Sequence, residues 1–275
     1  MDVETLDGFW QRVAQTRLRA DQDLPLETIL AGLLGVWSTC VVCNLLWEWT
    51  FDLLSRWQHA LAEDRGARAQ FSQSQRWCNE HAWFLKDLAS PRTRSRVHRE
   101  LFAEAEERIG EMLRADLDPV IREAVPRLQV DLMGSGTCPV CDEQAVVLQV
   151  VLAELARGLS SGSLREPFAA SGGCCLPHLA ALLHALPDSG TARFVLEATA
   201  AQLRRLREEL ETYETEAEHR TRRYGSAADA PARAMVRWVG MRGVVAGENG
   251  QGQAALLPAG RGSAAAAGGG DPGAQ

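Results

Sequence analysis

The residues best suited to chemistry in this chain are six of its seven cysteines and two of its six histidines. Cys40-Val41-Val42-Cys43 is followed by Cys78-Asn79-Glu80-His81, and Cys138-Pro139-Val140-Cys141 by Cys175-Leu176-Pro177-His178. The gap from Cys43 to Cys78 and the gap from Cys141 to Cys175 differ by a single position. The offsets from Cys40 to Cys138, Cys43 to Cys141, Cys78 to Cys175 and His81 to His178 likewise agree to within one position. Three thiolates and one imidazole form a common tetrahedral shell for zinc. A C-x-x-C knuckle aims two sulfurs at one ion, and a C-x-x-H pair places both side chains on one face of a helical turn. The expected metal ligands are therefore Cys40, Cys43, Cys78 and His81 in the first copy, and Cys138, Cys141, Cys175 and His178 in the second. Two zinc ions per chain follow, with all positions filled by protein and none left open for water or substrate. Such sites read as structural, because catalytic zinc keeps an open position.

The ligands must be carried by elements that leave the metal after Cys43 or Cys141 and return to it at Cys78 or Cys175. One helix out, a turn and a helix start on return fit that length. Gly134-Ser135-Gly136-Thr137 before Cys138-Pro139, and Gly172-Gly173 before Cys175-Leu176-Pro177, are helix-start signals, with Thr137 a candidate cap. A helix N-terminus also stabilises thiolate, the form that ligates. Leu196, Thr199, Leu203, Leu206, Leu210 and Tyr213 recur at spacings of three and four, and Phe102, Ala105, Ile109 and Met112 do the same in the first copy. Runs such as Arg204-Arg205 and Glu208-Glu209 are solvated helix faces. No apolar–polar alternation is long enough for a strand. The fold expected is all-α: two tandem helical repeats, each organised around a Cys3His site. Boundaries fall at a leading segment 1–23 with a helix from Leu6 to Ala20, repeat 1 over 24–125, repeat 2 over 126–222, and a Gly/Ala-rich tail over 223–275. Residues 224–275 hold 12 of the 24 glycines, so this stretch is expected to be disordered, with transient structure at Met235–Val239.

The remaining features are easiest to assign to packing. Cys174 corresponds to Trp77 and reads as core, or as a substitute for Cys175. His59, His98, His184 and His219 have no counterpart between repeats and read as surface or packing residues. Seven of eight tryptophans lie between Trp10 and Trp83, and Trp47, Phe51 and Leu54 share a helical face that reads as core. Trp47 and Trp49 cannot face the same way on one helix, so part of this aromatic surface is available for contact.

Composition narrows the function classes. A 275-residue chain with 46% hydrophobic residues has enough apolar material for a core without disulfides. A net charge of −7 argues against generic nucleic-acid binding, although Arg220, Arg222 and Arg223 form a small basic end. The acidic N-terminus lacks the basic and apolar regions of a secretory signal, which gives a cytoplasmic, reducing setting where cysteine pairs bind metal. The uncharged stretch Thr28–Trp47 is the only candidate membrane span. Its counterpart carries Arg127, Asp131 and Asp142, which favours a buried helix. No Walker loop, G-x-G-x-x-G, H-E-x-x-H or nucleophile elbow is present. Covalent haem attachment is excluded because Asn44 and Asp142 stand where it requires histidine. The leading expectation is a non-enzymatic helical zinc-binding scaffold with a protein partner. The alternatives are a redox protein with an iron–sulfur cluster or reactive C-x-x-C dithiols, and a zinc-containing regulator that contacts nucleic acid.

Cys138-Pro139-Val140-Cys141 with Cys175-Leu176-Pro177-His178, and Trp77-Cys78-Asn79-Glu80-His81-Ala82, resemble an uncharacterised bacterial family. Its members carry a CPxC motif and, roughly 35 residues later, a GFCxxH motif, sometimes in two copies. The resemblance spans about residues 38–90 and 136–187. It implies a helical metal-binding module without an established activity. Val41 stands where that pattern has proline, and Trp77 or Cys174 precedes the third cysteine.

Overall fold

The structure is a computed structural model that describes residues 3–74, 78–114, 138–218, 229–242 and 244. Among these residues it is helical throughout, with no strand. In the leading segment α1 (Val3–Val13) runs into a π-helical turn (Ala14–Leu18), and in repeat 1 α2 (Leu26–Val36), α3 (Val41–Glu63), α4 (Arg65–Ser74), α5 (Asn79–Leu88) and α6 (Pro91–Arg114) follow. In repeat 2 the order is α7 (Pro139–Ser161), α8 (Arg165–Ala170), α9 (Leu176–Ala185) and α10 (Ser189–Glu218), followed by α11 (Ala230–Val239). The duplication expected from the cysteines is visible in the elements. Helices α3 and α7 each have 23 residues, and α5 and α9 each have 10.

The two 23-residue helices pack on each other at the centre of the molecule. They run antiparallel. Val41–Trp49 of α3 shares a core with Val147–Leu159 of α7, while Leu53, Leu54 and Leu61 pack with Cys138 and Val140 at the start of α7. Gln144 donates to the Thr50 hydroxyl across this interface. The larger core gathers α1, α2, the first half of α3, α7 and the beginnings of repeat 2's later helices. Burying side chains such as Trp49, Phe168, Leu45 and Leu155 stabilises by about 1.5–3 kcal/mol each. Helices α5 and α6 lie on α3, and α9 lies on α7.

Several expectations differ in detail. The leading helix stops at Val13, and its continuation is π-helical to Leu18 before Arg19 turns left-handed at φ 55°. The face containing Trp47, Phe51 and Leu54 is split: Leu54 is buried, whereas Trp47 and Phe51 stack on each other and Trp47 stacks on Phe84 at the rim. It is Trp49 that enters the core, edge-on to Phe9. On α6, Phe102 and Ile109 are exposed, and on α10 so are Leu196 and Leu203. The buried face of α10 runs instead through Val195, Ala198, Thr199 and Gln202, and that of α6 through Thr93 and Val97, so the exposed residues flank the face that packs on the body. Part of the expected tail is ordered as α11, which packs on α9 and α10. Its Arg233 pairs with Glu209 and Asp229, and Arg237 is buried. Two arginines at a spacing of four anchor a segment whose composition alone gives no reason for order. Thr137, Trp77, His219, Arg220, Arg222, Arg223 and residues 245–275 lie outside the described residues.

No single described helix is long and apolar enough to cross a membrane. The uncharged stretch Thr28–Trp47 falls on α2 and α3, which meet at a bend of 108°. Ile29, Leu30, Leu33, Leu34, Leu45 and Leu46 are buried against the rest of the protein.

Candidate metal centres

All eight residues singled out by their spacing are gathered into two groups of four, each of three cysteines and one histidine. The membership is crossed. One centre consists of Cys40, Cys43, Cys175 and His178, and the other of Cys78, His81, Cys138 and Cys141. Each takes its C-x-x-C pair from one repeat and its C-x-x-H pair from the other, which corrects the expectation that each repeat closes on its own ion. The antiparallel packing of α3 and α7 is the reason. A C-x-x-C pair opens each long helix, and the helix carries the chain away from it. The C-x-x-H pair that follows therefore emerges beside the start of the opposite long helix.

In every motif the first cysteine is the residue that caps a helix. Cys40, Cys78, Cys138 and Cys175 are the N-caps of α3, α5, α7 and α9. The second ligand of each motif sits three residues on, in the first turn. Cys40 Sγ also accepts a hydrogen bond from the Cys43 amide at 3.4 Å. Each centre thus lies between two helix N-termini, whose unpaired amides and dipoles favour negative charge. Pro139 and Pro177 occupy the first turns of α7 and α9, where their missing N–H costs nothing. At the start of α3, Val41 takes that place without loss of the helix.

The distances agree with a single tetrahedral ion. With metal–sulfur bonds of ~2.3 Å and metal–nitrogen bonds of ~2.0–2.1 Å, sulfurs lie about 3.8 Å apart and sulfur and nitrogen about 3.5 Å apart. In the α3–α9 centre, His178 Nδ1 is 3.6, 3.3 and 3.2 Å from the sulfurs of Cys40, Cys43 and Cys175. Cys43 and Cys175 sulfurs are 3.7 Å apart. In the α5–α7 centre, His81 Nδ1 is 3.2, 3.5 and 3.4 Å from Cys78, Cys138 and Cys141, and Cys141 and Cys78 sulfurs are 3.8 Å apart. All ligand atoms of a group lie within 4.8 Å of one another. Both imidazoles present Nδ1, a choice the spacing alone did not indicate.

The electrostatics are those of thiols crowded without a counter-ion. Burial opposes ionisation of Cys40, but hydrogen bonds from Cys174, Cys175 and Cys43 more than offset it and hold its pKa well below the thiol range. Hydrogen bonds from Cys141 and Cys78 do the same for Cys138. Cys43 and Cys141 are pushed the other way by the neighbouring sulfurs and by burial. Burial disfavours the charged form of His81 and His178, yet adjacent thiolates raise them to about 9 and about 10. A divalent cation held by either group would replace these protons and supply the positive charge.

The two centres are not equivalent in their surroundings. Every ligand of the α3–α9 centre is buried, whereas Cys78 and Cys141 of the α5–α7 centre are partly exposed. Cys174 is buried beside Cys40, and although it stands next to Cys175 it is not one of the four gathered atoms. Gly172 lets the loop before Cys174 press against the Ser38–Thr39 backbone, since a Cβ there would lie 2.2 Å from the Ser38 carbonyl oxygen. Gly173 adopts φ +69° beside Gln202 and Arg237. Residues 237–241 also reach this centre, where the Met241 amide donates to Cys43 Sγ at 3.5 Å, and they left no signal in the cysteine pattern. The spacing of Arg233 and Arg237 followed by Gly240 is the feature that could have found them. His59, His98 and His184 are exposed and belong to neither group. No family model, no curated protein and no solved structure matches this chain.

Proposed function

We propose that the protein is a helical zinc-binding scaffold in which two structural Cys3His zinc ions fasten one repeat to the other. The observation that carries this reading is the convergence of eight residues from four separate motifs on two sets of tetrahedral ligand distances. Zinc suits three thiolates and an imidazole, and four protein ligands leave no coordination position for a substrate. When bound, the ion supplies positive charge and a fixed tetrahedral geometry. The protein's own residues do the rest. Helix N-termini favour negative charge at the cysteines that cap them, and those N-cap positions place Cys40, Cys78, Cys138 and Cys175 beside the other two members of each group.

The ligand distances favour one ion over an iron–sulfur cluster, in which each cysteine binds a different iron or shares one with bridging sulfide, so that the ligand set spreads wider. Each C-x-x-C pair is also packed against a histidine and a third cysteine, which sets it apart from an isolated redox dithiol. The scaffold half of the proposal draws on exposed apolar side chains. Trp83, Phe102 and Ile109 are exposed, and Phe102 lines an apolar cleft of about 310 Å³ between α5 and α6 that Phe71 of α4 also lines. Such a surface fits a protein partner.

The test is elemental analysis of protein purified without added metal, with thermal unfolding before and after chelation. Two zinc per chain and a chelator-dependent fall in melting temperature are expected. Metal-free protein with chelator-insensitive melting would sink the proposal. A brown colour with iron and acid-labile sulfide would replace it with the cluster reading.

A further inference from the structure

We infer that the two centres divide their labour: the α3–α9 centre is a locked site held closed by α11 and residues 240–241, and the α5–α7 centre is the one that exchanges metal with ligands in solution. This rests on the zinc reading above and concerns what regulates access to the ions.

Three independent contacts close the α3–α9 centre. The Met241 amide donates to Cys43 Sγ at 3.5 Å, a backbone N–H bond of the kind that stabilises thiolate ligands. A Cβ built on Gly240 would lie 3.6 Å from Cys175 Sγ and 3.7 Å from Cys43 Sγ, so the chain crosses directly over two ligands. Gly240 has φ +83°, which lets the strap leave α11 and turn across the sulfurs. The third contact is Arg237, buried at the inner face of α11. It donates to the Gly172 carbonyl and to Gln202 Oε1, the latter at 2.9 Å. Its guanidinium faces Cys174, Cys40 and Cys175, whose negative charge partly offsets the cost of burying it. Three thiolates and one neutral imidazole around a divalent ion leave one net negative charge, and Arg237 is the buried cation beside it.

The α5–α7 centre has no such strap among the described residues. Cys78 and Cys141 are partly exposed, and among the described residues the C-terminal segment meets this side through the ion pair of Arg242 with Glu80 at 2.7 Å. An entering thiol can approach at that edge. With zinc bound there, Cys78 would be the residue displaced: its sulfur would leave as the entering sulfur took its place, and it would take up the proton that the entering thiol gave up. The oxidation state of every atom is unchanged. The same approach to the α3–α9 centre first requires α11 and the strap to undock.

The experiment uses the full chain loaded with zinc. An excess of a chromophoric chelator is added and release is followed by absorbance, with N-ethylmaleimide labelling and peptide mapping run in parallel. Release is expected in two equal phases, the second at least tenfold slower, with Cys78 and Cys141 labelled in the fast phase and Cys40, Cys43 and Cys175 in the slow one. Met241→Pro removes the donor to Cys43 and should accelerate only the slow phase, on the order of tenfold. Met241→Ala, which keeps the amide, should leave it slow. Arg237→Met should accelerate the same phase. Equal release rates from a two-zinc protein, a slow phase that maps to Cys78 and Cys141, or a slow phase unmoved by Met241→Pro would each overturn the inference while leaving the zinc reading intact. A chain that carries fewer than two zinc ions at the outset fails the zinc reading first.

Discussion

The crossed membership of the centres can be tested by counting metal in paired cysteine variants. Cys43 shares a centre with Cys175, 132 residues away, and not with Cys78, which is nearer in sequence and belongs to the same repeat. Cys43→Ala removes one ligand from the α3–α9 centre. The loss is large because the remaining three ligands no longer complete the tetrahedron. Structural zinc binding contributes roughly 10–16 kcal/mol in small peptides, and ligand loss takes away a substantial part of it. One zinc per chain is expected after a chelator wash. Adding Cys175→Ala should change nothing further, because both substitutions fall in a centre already lost. Adding Cys78→Ala should remove the second ion. Pairing within repeats reverses these outcomes: Cys43→Ala/Cys78→Ala would keep one ion and Cys43→Ala/Cys175→Ala would keep none. Native mass spectrometry reads the count directly on folded protein. A doubly substituted Cys43/Cys78 chain that still holds one zinc refutes the crossed arrangement.

Particular contacts set three further outcomes. Gly172→Ala should unseat the α3–α9 centre without touching a ligand, because the new Cβ would meet the Ser38 backbone; a cost at the upper end of about 1–3 kcal/mol and loss of one zinc are expected, read by thermal melting and metal analysis. Thr50→Val removes the hydrogen bond that Gln144 donates to the Thr50 hydroxyl across the α3–α7 interface and should cost about 0.5–1.5 kcal/mol, and Thr50→Val/Gln144→Leu reads the coupling in a double-mutant cycle. Asp188 accepts from the Thr191 amide and hydroxyl at 2.8 Å each, and these bonds hold its pKa below the usual carboxylate value. Its contribution is therefore present above the ordinary carboxylate pKa and lost as pH falls through its own depressed value; Asp188→Asn should flatten that acid limb of the melting curve.

The sequence carried the site further than it carried the fold. Cysteine and histidine are costly to place together without a purpose, so their recurrence at a near-constant offset identified the eight positions without any knowledge of their surroundings. The all-helical class was legible for a related reason, since apolar residues three and four apart line one side of a helix and no single face of a strand. Partner choice was not legible. The nearly equal gaps from Cys43 to Cys78 and from Cys141 to Cys175 are compatible with closure inside a repeat or across repeats, and only the antiparallel docking of α3 on α7 decides between them. That docking depends on long-range burial of residues such as Trp49, Val147 and Leu155. The order of α11 was hidden for a different reason. Its stability comes from Arg233 and Arg237 meeting groups on α10 and on the loop before Cys174, and local composition has no access to such partners. The apolar stripes of α6 and α10 misled in the opposite direction. Periodicity shows that a helix has an apolar side, but neighbouring elements choose which side is covered: Thr199 and Gln202 are buried beside exposed Leu203, and Val97 is buried while Phe102 stands at the surface.

The crossing has a mechanical consequence that two self-contained repeats would lack. A repeat that closes on its own ion can separate from its neighbour with its metal in place. Here neither centre can form from one repeat alone, because the C-x-x-C pair and the C-x-x-H pair of each repeat belong to different four-residue groups. Pulling α7 away from α3 breaks both centres at once. On the proposed zinc reading the ions and the α3–α7 core would be coupled: core burial sets the eight residues within reach of one another, and bound metal would oppose separation of the core. Unfolding of the zinc-loaded chain, followed by calorimetry, should then be a single cooperative event across both repeats despite its length. Chelation should let the larger core around α2, α7 and α9 and the smaller one around α4, α5 and α6 melt apart. Two separated transitions in the zinc-loaded chain would show instead that the cores are independent of the ions that join them.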